Sequence, residues 1–154
     1  AYLYMGQLLV NVVKLNDDMI SYDGKVRYLE GTDDFFEASW MHKRNDTYYF
    51  SYVGKDGQLK YATAKHPLGP FKYQGVILER MNSGTSHHSI VEWKNEWYLF
   101  YHSSELYYQN HPEEERKFGW GHKGSVHPYR RSICFDKLTY DDQGLIKQVI
   151  PTLK

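Results

Sequence analysis

Asn45-Asp46-Thr47-Tyr48-Tyr49-Phe50-Ser51-Tyr52 reads as a polar turn followed by an aromatic strand, and Asn95-Glu96-Trp97-Tyr98-Leu99-Phe100-Tyr101 repeats it. Tyr, Phe, Trp and β-branched residues favour the pleated, half-buried surface of a sheet, and Asn-Asp pairs favour the turn that precedes it. Upstream of each copy lies a second matched strand, Ala38-Ser39-Trp40-Met41-His42-Lys43 before the first and His88-Ser89-Ile90-Val91-Glu92-Trp93 before the second. Ser39 and Ser89 set the period at 50 residues. The opening Ala1-Tyr2-Leu3-Tyr4-Met5-Gly6 is a third copy of the aromatic strand.

A period of about 50 residues made of successive antiparallel strands is the mark of a propeller blade. Further turn pairs, Asp23-Gly24, Asp56-Gly57 and Gln143-Gly144, punctuate the chain, and no amphipathic helix stands out. The expected class is all-β. Residues 1–30 form the tail of one blade, 31–80 and 81–129 are two full blades, and 130–154 hold closing strands. Arg130-Arg131-Ser132-Ile133-Cys134-Phe135 is read as the inner strand of the next blade, followed by Lys137 to Tyr140 and Leu145 to Ile150. That amounts to about half of a small propeller, and half a ring leaves sheet faces bare that are built to pack on neighbours. Leu106 to Tyr129, aromatic and rich in His and Gly, reads as an elaborated loop of the kind that carries function, with His111 to Lys117 forming at most one helical turn.

Composition removes several classes. The chain has 154 residues, with 19 Lys plus Arg against 19 Asp plus Glu, so no basic surface argues for nucleic acid or an anionic membrane. No apolar run approaches the roughly 20 residues of a membrane helix. The first residues already read as strand, with no basic-then-apolar leader, which points to a boundary inside a fold. Cys134 is alone, so no disulfide forms within the chain and the residue is expected to be a small buried apolar one. Tyr, at 15 residues, suits half-buried strands and equally suits carbohydrate, whose C–H faces stack on rings while its hydroxyls need polar partners.

Three positions stand out chemically. Glu37 sits between Phe36 and an apolar strand, where an ionised carboxylate is rarely found unpaired. Strand alternation places Glu37, Ser39 and Met41 on one face, and Ala38, Trp40 and His42 on the other. An apolar setting would keep Glu37 protonated near neutral pH, as a general acid must be; an exposed or salt-bridged strand-end Glu is the plain alternative. One period later His87 takes the place of Glu37, as a metal ligand, a substrate contact or a hydrogen-bonded structural group; His87 and His88 point opposite ways, so they cannot chelate one ion together. Arg131 offers a forked donor to a carboxylate or to sugar hydroxyls. No zinc motif, phosphate loop or nucleophile elbow is present.

The ordered set of motifs, Phe36-Glu37-Ala38-Ser39-Trp40, Tyr48-Tyr49-Phe50-Ser51-Tyr52, Ala62-Thr63-Ala64-Lys65-His66-Pro67-Leu68-Gly69-Pro70-Phe71, His87-His88-Ser89-Ile90-Val91-Glu92, Trp97-Tyr98-Leu99-Phe100-Tyr101-His102 and Arg130-Arg131-Ser132, resembles glycoside hydrolase family 43. This family holds five-bladed β-propeller β-xylosidases and α-L-arabinofuranosidases, and the form of the motifs is most similar to the bacterial members described as xylanases or arabinoxylan arabinofuranohydrolases. The resemblance implies an inverting acid/base glycosidase of arabinose- or xylose-containing plant polysaccharide or oligosaccharide, with Glu37 as general acid. It further implies His87 beside a calcium ion held largely through water, and Arg131 near the sugar, with Trp40, Tyr52 and His88 as further substrate contacts. The family's general base and the Asp that tunes the acid correspond to sequence before residue 1, so the fragment alone is expected to be inactive. Its expected partners are carbohydrate and either the N-terminal half of the propeller or another copy of the chain. A polymeric substrate suggests an extracellular or periplasmic place, with the cytoplasm open to members acting on short oligosaccharides. A non-catalytic carbohydrate-binding propeller and a purely structural one are the alternatives from other classes.

Overall fold

A computed structural model describes residues 1–84, 86–114 and 130–152. Ten strands and one short helix follow in the order β1 (Tyr2–Met5), β2 (Asn11–Lys14), β3 (Arg27–Tyr28), β4 (Phe35–Arg44), β5 (Thr47–Gly54), β6 (Leu59–Ala64), β7 (Lys72–Leu78), β8 (Ser89–Trp93), β9 (Glu96–Ser103), α1 (Glu105–Asn110) and β10 (Ser132–Leu138). They form three sheets, β1-β2-β3, β4-β5-β6-β7 and β10-β9-β8. The two copies of the repeat are the antiparallel hairpins β4–β5 and β8–β9. Each closes on two residues, Asn45-Asp46 between Arg44 and Thr47, and Lys94-Asn95 between Trp93 and Glu96. Asn45, Lys94 and Asn95 have φ of 52°, 52° and 63°. This left-handed backbone is what a two-residue hairpin needs, and Asn tolerates it best after Gly.

The chain divides into two compact units, Ala1–Lys55 with Lys60–Gly75, and Asp56–Leu59 with Val76–Lys154. In the first, Val10, Val12, Leu29, Phe35, Phe50, Tyr52, Ala62, Ala64 and Phe71 form a buried apolar cluster. Its rings meet tilted, Phe35 to Tyr52 at 5.9 Å and Phe50 to Phe71 at 5.7 Å, the arrangement that ring quadrupoles prefer. Gly31 lets the backbone come close to this core. Its φ is 85°, and a Cβ there would lie 1.7 Å from the Phe71 carbonyl oxygen.

In the second unit the β8-β9-β10 sheet alternates cleanly. Ile90, Leu99, Tyr101, Cys134 and Leu138 are buried on one face. The other face carries Val91, Trp93, Tyr98, Phe100, Ile133 and Phe135, with Trp93, Ile133 and Phe135 exposed by 60%, 86% and 61%. A bare apolar sheet face is what half a ring was expected to show. Cys134 is buried, as its lone position suggested.

Three expectations change. Arg130 to Phe135 was expected to open a new blade, but β10 pairs with β9 from Ser132↔Ser103 to Leu138↔Trp97, so it is the third strand of the same sheet. Leu145 to Ile150 makes no full strand; it contributes the bridge Tyr140↔Ile146 and a bond from the Val149 N–H to the Ile77 carbonyl at 2.7 Å. A helix also forms where none was expected, over Glu105–Asn110; of His111 to Lys117, where one turn was allowed, residues 115–117 lie outside the described residues. Of the long loop from Leu106 to Tyr129, and of the blade assigned to 81–129, residues 115–129 lie outside the described residues.

Candidate active site

Glu37 lies on β4, half-buried, in a stretch where the ladder to β5 is irregular. Phe35 faces Gly54, Glu37 faces Val53 and Trp40 faces Ser51. Five steps along β4 thus match three along β5, which places two bulges around Glu37. Ala38, within the second of them, has a φ of 59°. A left-handed backbone is uncommon for a residue with a Cβ, and such outliers gather where a side chain is re-aimed. The strict alternation expected over Glu37 to His42 is overturned here. Ser39, Trp40 and Met41 all line one cavity of about 170 Å³ with Tyr4 and Phe50.

The β1–β2 turn holds this segment. The Leu8 N–H donates to the Phe36 carbonyl at 2.7 Å, and Gln7 Nε2 donates to Glu37 Oε2 at 3.1 Å. Tyr52, expected to meet substrate, is a core residue. It is 1% exposed and packed on Phe35 and Phe50, and burial pushes its phenol well above the usual range. In an aromatic strand with both faces rich in rings, sequence could not say which Tyr turned inward. His42, also on β4, is buried with its ring stacked on Tyr49 at 4.8 Å. Burial, with a smaller contribution from the Arg44 charge, lowers its pKa to about 4.

His87, His88 and Arg131 belong to the second unit. His87 is exposed and precedes β8, while His88 is partly buried. They line a cavity of about 400 Å³ with Ser89, Phe100, Tyr101, His102 and Ile133. The closing pairs Arg44↔Thr47 and Trp93↔Glu96 put the two hairpins 49 residues apart, one fewer than Ser39 and Ser89 are. Ser89 therefore matches Trp40 on the ladder, and the extra residue in the bulge between Glu37 and Trp40 makes up the difference, so that His87, just before β8, still corresponds to Glu37. Arg131 is exposed at the foot of β10, its Nε donating to the Ser83 carbonyl at 3.4 Å.

Sequence reading missed a buried polar group beside these residues, comprising Asn82, Ser83, His102, Ser103, Ser104 and Glu105. His102 Nδ1 lies 2.6 Å from Ser83 Oγ, and its Nε2 accepts the His87 backbone N–H at 3.1 Å. A His and two Ser ending an aromatic strand were the available signal, because polar side chains at buried strand positions demand partners.

Among the described residues no three His, Cys, Asp or Glu side chains converge as a metal site. Calcium seeks six to eight oxygen ligands, and His87 offers a nitrogen, so its side chain does not by itself make a calcium site. Among the described residues no helix is long and apolar enough to cross a membrane.

Residues 1–146 match the model of Glycosyl hydrolases family 43. The "Xylosidase/arabinosidase 43A" of Humicola insolens is 46% identical over 150 residues, covering 88% of this chain and 41% of that protein. A crystal structure of a family 43 β-xylosidase/α-arabinofuranosidase from a compost microbial metagenome, in complex with xylotriose, matches with TM-score 0.74 and 36% identity over 94% of this chain and 43% of that one. An arabinoxylan arabinofuranohydrolase from Bacillus subtilis, in complex with cellotetraose, matches with TM-score 0.77 and 28% identity over 99% and 35%. The chain spans less than half the length of each. Its fold is part of a β-propeller.

Proposed function

This chain belongs to glycosyl hydrolases family 43, and on that premise we propose that it supplies the general acid of a longer, inverting glycosidase acting on arabinose- or xylose-containing plant polysaccharide or oligosaccharide. The observation that carries this reading is the setting of Glu37, half-buried between two bulges with one carboxyl oxygen held. As general acid, Glu37 would give a proton to the leaving glycosidic oxygen. The acid adds selectively to the transition state, because charge on the leaving oxygen develops only as the bond breaks. Inversion needs a second carboxylate roughly 6.5–9.5 Å away to activate water. By the family pattern that base lies in sequence preceding Ala1, so the chain alone is inactive on this reading.

Trp40, His88 and Arg131 are the proposed sugar contacts, an aromatic face and polar donors of the kind that carbohydrate requires. The bare face of the β8-β9-β10 sheet is then covered by the rest of the longer protein. A polymeric substrate suits an extracellular or periplasmic place for that protein, and a short oligosaccharide leaves the cytoplasm open. Calcium, if it binds near His87, is held mainly by water. Chelation followed by calcium addition should restore activity in the wild type, and His87→Ala should weaken that calcium dependence; activity indifferent to chelator overturns the calcium proposal.

The acid role is tested with Glu37→Gln in the full-length protein. Hydrolysis of arabinoxylan should fall by about 10²- to 10⁴-fold. Hydrolysis of p-nitrophenyl arabinofuranoside or xyloside should fall less, because p-nitrophenolate leaves without much protonation. Unchanged activity on the polysaccharide removes Glu37 as the acid.

A further inference from the structure

We propose that Ser83 and His102 act as a positioning pair that fixes the main chain of His87 and the guanidinium of Arg131. The proposal rests on the reading above, in which Arg131 and the His87–His88 segment meet substrate. All four residues lie within one compact unit.

The hydrogen-bond pattern assigns each atom one role. The His87 backbone nitrogen can only donate, so His102 Nε2, 3.1 Å away, must offer its lone pair. His102 Nδ1 then carries the ring proton and donates it to Ser83 Oγ at 2.6 Å. The Ser83 hydroxyl, having accepted that proton, donates its own to the His102 carbonyl at 3.1 Å. Ser83 closes the set from its main chain, where its carbonyl accepts Arg131 Nε at 3.4 Å. Ser83 is fully buried and His102 is 9% exposed, so water does not readily replace a lost partner.

The same segment is clamped from its other side. Asn82 Oδ1 accepts the Ser104 N–H at 2.9 Å, and Asn82 Nδ2 donates to Glu105 Oε1 at 2.7 Å. The end of β9 and the start of α1 therefore set where the chain before β8 runs. The rings of His87 and His102 also lie near-parallel, 6.5 Å apart. A general structural role would be indifferent to which ring atom accepts. A positioning role through His87 requires an acceptor at Nε2.

Three substitutions in the full-length enzyme separate these. His102→Gln can place an amide oxygen near the Nε2 position, His102→Asn reaches only as far as Nδ1, and His102→Phe keeps the ring plane without either nitrogen. His102→Gln should retain most of kcat/KM, whereas the Asn and Phe variants should lose about 100-fold, the scale of a misplaced site. Hydrogen exchange of peptides spanning Ser86 to Ile90 should stay slow in the Gln variant and quicken roughly tenfold in the other two. If the Phe variant does not fold, the Gln–Asn pair still decides. Equal exchange in the Gln and Asn variants overturns the proposal. If Arg131→Ala and His88→Ala leave kcat/KM untouched, it is the substrate-contact reading that fails, while the exchange result still judges the pair.

Discussion

His42 makes the stability of this protein depend on pH in a calculable way. In the folded chain, burial and the Arg44 charge lower its pKa to about 4, against the ordinary value of 6.5. Between these values the unfolded chain binds a proton that the folded chain refuses, so stability rises with pH across this window and is lost as pH falls through it. At pH 5 the gap from 6.5 corresponds to about 2 kcal/mol, and below pH 4 the loss levels off near 3 kcal/mol. For a protein of this size that is roughly 4–8 °C in Tm between pH 7 and pH 5. Thermal denaturation at pH 7, 6 and 5 measures it. His42→Phe, which keeps the stack on Tyr49, should flatten this part of the profile, leaving the carboxylates to act at lower pH. A wild-type Tm that does not fall between pH 7 and 5, or a fall that His42→Phe leaves intact, refutes the reasoning.

Tyr52 is a core residue in this fold, so Tyr52→Phe should leave KM for an arabinofuranoside unchanged, while Tyr52→Ala should cost about 3–5 kcal/mol in urea denaturation. Gly31→Ala should destabilise by more than about 2 kcal/mol, since it adds a Cβ at φ 85° and 1.7 Å from the Phe71 carbonyl oxygen; a stability within 0.5 kcal/mol of wild type, a threshold of about the usual surface effect, counts against that close approach.

What was readable in the sequence was local. The aromatic hairpins announce themselves because the turn residues Asn45 and Asn95 stand beside the strands they join, and period and punctuation agree. What was not readable depends on pairing at a distance. Nothing within Ser132 to Leu138 says that it joins β9, some thirty residues back, rather than starting a new blade. The polar partners of His102 lie upstream in the Asn82 to His87 stretch, where single residues carry no visible period. Glu37 was identifiable as a misplaced carboxylate, but Gln7, which holds it, comes from another sheet thirty residues earlier. The bulges left no mark either, because the residue in the left-handed backbone is an Ala rather than a Gly.

That β4 carries two bulges rather than one has a consequence for how this segment can change in length. One extra residue would flip every side chain beyond it to the opposite face; two restore parity. Phe35 packs on Phe50 and Tyr52, and Met41 again faces Phe50 across the ladder, so both ends of β4 remain on the core. The Phe36 to Ser39 stretch between them is thereby an even-numbered insert. Removing or adding a single residue there would exchange Met41, packed on the Phe50 face, with His42, buried against Tyr49 on the other, whereas a change by two would spare both and alter only the reach of Glu37. Insertions and deletions tolerated at this point should come in pairs, and the length of the stretch becomes a setting for Glu37 that the rest of the strand does not register.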